Sequence, residues 1–111
     1  MEKLEKYREA IKKIISEYGQ YQLAYGDSRT ELIFNRDGDN YLLFRVGWND
    51  WKRIYGCIMH FDIIDGKIWI QYNGTEVGVA EELVALGVPK EDIVLGYHSP
   101  YMRQFTEYAV N

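Results

Sequence analysis

The sequence predicts a single α+β domain over residues 1–111: an N-terminal helix, a four-stranded antiparallel meander, a second helix, a short strand and an ordered helical tail, with the helices on one sheet face. Three observations predict it. Apolar residues recur at spacings of three and four before Gly19, the period changes to two from Thr30, and the runs of period two are separated by short turn-forming clusters.

In the first element Leu4, Tyr7, Ile11, Ile14, Ile15 and Tyr18 form one apolar stripe, and Gly19 supplies a stop. Its charges, Lys3, Lys6, Arg8, Lys12 and Lys13 against Glu2, Glu5, Glu9 and Glu17, nearly balance, as on a solvated face. The strands are "ELIFN", "YLLFRVGW", "WKRIYGCIMHFDI" and "KIWIQY", joined by "RDGDN", "ND" and "IDG". Gly47 and Gly56 inside them suggest bulges or close packing. Val77, Ala80, Leu83 and Val84 mark the second helix, with Thr75 as N-cap and Gly87 as C-cap, and "DIVLGY" reads as the short strand.

Composition narrows the function classes. Apolar residues make up 47% of 111 residues, enough for one core, and no low-complexity run interrupts the chain. A net charge of −4 disfavours broad binding to nucleic-acid backbones, which is driven by Lys and Arg releasing counterions. Cys57 is the only cysteine, so neither an intramolecular disulfide nor a thiolate zinc cluster can form. With no uncharged run of membrane-spanning length and no signal-like segment, a soluble cytoplasmic protein is expected, without membrane contact. The small size and the 17 Phe, Tyr and Trp residues point to self-association.

The segments "LLFRVGW", "YGCIMHFDIIDGKIWIQ" and "GTEVGVAEELVALGVPKEDIVLGYHSPYMRQFTEYAV" together resemble the XisI-like family, the fdxN element excision controlling factors, in the same order over nearly the whole chain. The resemblance implies a non-enzymatic accessory protein for programmed excision of a DNA element. It also implies a nuclease-like companion, XisH, and, indirectly, a site-specific recombinase, XisF, and DNA. Neither catalytic, cofactor nor metal residues are expected.

Two places are candidate interaction sites. On the third strand, alternation puts Cys57, Met59, Phe61 and Ile63 toward the helices and Ile58, His60 and Asp62 on the opposite face, where Tyr41 and Arg45 on one side and Trp69 and Gln71 on the other are expected as neighbours. Such a face is either a recognition surface or an ordinary half-polar sheet face. In the tail, His98-Ser99 lacks the spacing and partners of a nucleophile; Ser99 with Pro100 instead suggests a helix cap. Tyr101, Phe105 and Tyr108 then fall on one stripe that docks on this domain or on another chain, with Arg103, Gln104 and Glu107 exposed for recognition. The Trp48–Trp51 turn, followed by Lys52 and Arg53, is a weak match to a base-stacking platform and a better one to a cross-strand pair. The competing readings are direct DNA binding as an excision cofactor, which needs a clustered basic patch, and small-molecule binding or catalysis on the His60/Asp62 face, which needs a deep pocket.

Overall fold

The computed structural model describes residues 2–20 and 27–111. The elements run α1 (Glu2–Gly19), β1 (Asp27–Asn35), β2 (Asn40–Asn49), β3 (Lys52–Ile64), β4 (Lys67–Asn73), α2 (Val79–Ala85), a 3-10 turn (Lys90–Asp92), β5 (Ile93–Leu95) and α3 (Pro100–Arg103). The strands form one sheet in the order β1-β2-β3-β4-β5. The first four make the expected antiparallel meander, but the sheet is mixed and five-stranded, because β5 pairs parallel to β4. The reason is topological: α2 lies between the two, and a strand returning after a helical crossover enters in the same direction as the one it left.

The turns follow local chemistry. Asp65 and Gly66 take φ of 52° and 80° between β3 and β4, the two left-handed positions of a tight hairpin. At the end of α2, Gly87 takes φ of 101°; its N–H donates to the Val84 carbonyl and that of Val88 to the Leu83 carbonyl, which is a Schellman stop. Thr75 does not cap α2. Its hydroxyl donates to Asn73 Oδ1 and accepts from Val77 N–H, shaping the loop before the helix.

The core lies between the sheet and the helices. Tyr7, Ile11, Ile14 and Ile15 of α1 and Val79, Ala80 and Leu83 of α2 meet Tyr41, Leu43, Met59, Phe61, Ile68 and Ile70, and all of these are buried. Polar contacts fix α1 at both ends. Arg8 grips the Asp39 carboxylate through Nε at 2.8 Å and NH2 at 3.2 Å, and the Tyr41 hydroxyl donates to the same group at 2.9 Å. The Arg8 guanidinium holds the Asp39 carboxyl below its usual range, while burial and the Asp39 hydrogen bond push the Tyr41 phenol up to about 12. Tyr7 donates to Asp92, and Tyr18 to Glu82 at 2.5 Å.

Two irregularities decide which side chains share a face. Between β2 and β3, Leu43 faces Met59 while Phe44 faces Cys57, so Ile58 is an extra residue on β3. Cys57, expected toward the helices with Met59, therefore sits opposite Phe44 on the other face, and Ile58 packs against the core. Between β3 and β4, His60 faces Tyr72 and Phe61 faces Ile70, which leaves Gln71 as the extra residue. Gly47 is a point of close approach, since a Cβ there would fall 2.3 Å from the Asp27 carbonyl oxygen; Gly56 has open space around it.

Candidate functional site

The sheet face away from α1 and α2 carries a polar cluster centred on Asp62. Its Oδ1 accepts from Asn40 Nδ2 at 2.9 Å and lies 2.9 Å from His60 Nε2; its Oδ2 accepts from Gln71 Nε2 at 3.1 Å. Strand pairing builds this arrangement, because Asn40 is directly opposite Asp62 on β2 and Trp69 opposite it on β4, with His60 two residues along β3. Gln71 alternates with Trp69 onto this face within reach of the carboxylate, and the bulge there brings Tyr72, which regular alternation would send to the core, opposite His60. The Asp62 side chain is 13% exposed and that of His60 30%, so the cluster is anchored in the sheet and open at its rim.

Of the residues expected together, His60, Asp62, Trp69 and Gln71 do converge. Tyr41 and Arg45 do not: Tyr41 pairs with Phe61 and is fully buried on the helix side, and Arg45 shares its parity and bonds Ser28 Oγ at 3.4 Å. The reason is that Leu42 rather than Tyr41 stands opposite His60. Asn40 takes the expected place, a residue that sequence reasoning assigned only to a turn.

Around the cluster the face divides. Over β4 and β5 the tail covers it. The Arg103 guanidinium lies 4.9 Å from the Trp69 ring centre, its Nε donates to the His98 carbonyl at 3.0 Å and its NH1 to that of Val110 at 3.4 Å. Val94 is fully buried here and bridges to Ala109, whose N–H donates to the Ile93 carbonyl at 2.9 Å. Over β1 to β3 the face is open, with Ile33, Trp48 and Tyr55 exposed, as is Tyr72 near the end of β4. Phe44 packs on Tyr55 at 5.5 Å between ring centres, and Arg53 lies 5.2 Å from the Trp48 ring.

The tail inverts its expected orientation. Ser99 does cap α3, its Oγ accepting from Met102 N–H at 3.3 Å with Pro100 in the first turn. Yet Tyr101 and Phe105 are exposed, stacked edge-on at 5.2 Å, and only Tyr108 of the expected stripe packs on the core. Arg103, expected free, is the anchor, and Glu107 pairs with Lys90. The His98 ring lies 4.6 Å from that of Tyr97, while the Ser99 Oγ is engaged with the Met102 N–H.

Two surface clefts, of about 390 and 350 Å³, are lined by Ile64, Asp65, Lys67, Trp69 and Asn111 and by Glu81, Val84, Lys90, Glu107 and Tyr108. Neither includes His60 or Asp62. Among the described residues no group of three His, Cys, Asp or Glu side chains is placed to hold a metal, and no helix is long and apolar enough to cross a membrane. Burial raises the Cys57 thiol above its usual range, which leaves it a poor nucleophile. The arrangement can bind through charge, hydrogen bonds and aromatic surface.

Comparison with known proteins agrees with this architecture. The sequence pattern of the family described as XisI protein matches residues 1–110. The chain is similar to the crystal structure of a XisI-like protein from Anabaena variabilis, with 47% identity, a TM-score of 0.91, and coverage of 97% of this chain and 99% of that one. It is also similar to the fdxN element excision controlling factor XisI from the same organism, with 34% identity, a TM-score of 0.85, and coverage of 98% and 99%. No curated protein sequence gives a significant match.

Proposed function

The chain belongs to the XisI family, and on that premise we propose that it is a non-enzymatic accessory protein of DNA-element excision. In this reading it binds an XisH-like, nuclease-like companion through the open sheet face and thereby modulates a site-specific recombinase. The relative at 34% identity is itself described as an excision controlling factor. The observation that carries the proposal is the Asp62 carboxylate, fixed by Asn40, His60 and Gln71 and bordered by exposed Tyr72 and the Phe44–Tyr55 pair. A carboxylate held in place loses little freedom on binding, and an aromatic surround excludes water from the ion pair it forms. Its natural counterpart is a Lys or Arg of the partner, the side chains that line a DNA-binding groove.

The test is copurification and calorimetry with the companion. Asp62→Asn, which keeps the shape and removes the charge, is expected to weaken association at least tenfold while thermal stability stays close to that of the wild type. Unchanged affinity would remove Asp62 from the interface.

Direct DNA binding as an excision cofactor is the weaker reading, because seven of the 13 Lys and Arg residues are already matched to carboxylates. Lys3, Arg8, Lys12, Lys13, Arg29, Arg36 and Lys90 each lie in an ion pair with a carboxylate. The purified protein should therefore bind duplex DNA only weakly at physiological salt; submicromolar, salt-sensitive binding would favour the DNA reading instead.

A further inference from the structure

The two ends of the sheet are finished differently. Beyond β5, the chain itself supplies the Val94–Ala109 bridge. At the other end β1 has β2 as its only neighbour in the sheet among the described residues. Natural edge strands are blunted by shortness, proline or bulges, because unpaired N–H and C=O groups recruit other strands. β1 has nine residues, contains no proline and pairs with β2 in unbroken register from Asp27↔Trp48 to Asn35↔Asn40. It also leaves three consecutive apolar side chains, Leu32, Ile33 and Phe34, at 41, 42 and 40% exposure.

The charges on β1 specify what can cover it. Arg29 and Glu31 flank Thr30 on the same sheet face, with Arg29 NH2 2.7 Å from Glu31 Oε2. We propose that β1 pairs with β1 of a second copy, antiparallel about a two-fold axis at Thr30, so that two five-stranded sheets become one continuous sheet. About that axis Arg29 stands opposite the partner's Glu31 and Glu31 opposite the partner's Arg29, so the strand is complementary to itself. An axis at Glu31 would instead oppose two glutamates directly. The same pairing places the partner's strand beside Leu32 and Ile33 and satisfies the free edge. It leaves the Asp62 cluster, three strands in, available on each copy.

Light scattering on the purified full chain tests this. The wild type is expected to have a mass of about 26 kDa, twice the 13.1 kDa of one chain. Arg29→Glu puts two glutamates against each other at both positions, and Glu31→Arg two arginines, so each variant alone should be a folded monomer by circular dichroism. Mixed in equal amounts, the two variants oppose Glu to Arg at every contact and should recover a heterodimer. A monomeric wild type overturns the proposal, as does dimerisation that survives in both single variants. Failure of the mixture to associate would likewise exclude the register about Thr30.

Discussion

The two halves of the outer sheet face belong to one continuous sheet and meet opposite fates. Over β4 and β5 the chain folds its own tail down: Arg103 lies over Trp69, and Val94 is fully buried. Over β1 to β3 comparable aromatic and aliphatic side chains, Ile33, Trp48 and Tyr55, remain exposed. Covering apolar surface stabilises a small domain, so a half left bare gives up stability that the other half retains. The contrast separates by strand a half that the chain packs against itself from a half left bare for the proposed recognition, with the Asp62 cluster at the boundary between them.

Removing the cover should have the largest effect. Deleting residues 99–111 exposes Val94 and Trp69 and removes Tyr108 from the core, and should cost about 3 kcal/mol or more, read as a much lower melting temperature or aggregation. An equally stable truncated chain would break the comparison. Arg103→Ala tests the anchor alone: it loses the Trp69 contact and two hydrogen bonds, and is expected to cost about 1–2 kcal/mol in denaturant unfolding.

Acid probes the brace at the β1–β2 turn, on the helix side of the sheet. The Asp39 carboxyl has its folded pKa held below the ordinary 3.8 by the Arg8 hydrogen bonds. Its contribution is thus fully present above about pH 4 and is lost as pH falls through the depressed folded value. Melting temperature should decline below pH 4 in the wild type, and less steeply in Arg8→Met. The smallest effect belongs to the bare hairpin: Trp51, 88% exposed, should be replaceable by Ala within about 0.5 kcal/mol.

Much of the fold was legible because it rests on local rules: the α1 stripe, the four hairpin-linked strands, the Asp65-Gly66 turn, the Gly87 stop and the Ser99-Pro100 cap. The site was legible in part. His60 and Asp62 share a face because they are two residues apart, but β2 is apolar on both faces through Tyr41, Leu42, Leu43 and Phe44, so alternation could not fix its parity. That is how Tyr41 and Arg45 were drawn to the wrong side and Asn40 passed over. The bulges at Ile58 and Gln71 carry no strong residue signature and each reverses the pattern beyond it. The tail misled for another reason. A helical stripe requires a helix, and α3 ends at Arg103, so Phe105 and Tyr108 are not held at helical spacing. Arg103, with a long apolar stem and a flat cation, is the side chain best shaped to lie on Trp69.

The central claim, that the open half of the face recognises the companion while the covered half serves the fold, is tested most directly by two matched charge insertions. Tyr55 and Phe105 are 69 and 66% exposed, one on the open half and one on the tail. With the affinity of the nuclease-like companion measured by calorimetry, Tyr55→Lys should weaken binding at least tenfold and Phe105→Lys should leave it unchanged, both at wild-type melting temperature. Binding lost with Phe105→Lys and retained with Tyr55→Lys would contradict the account and move the interface to the tail.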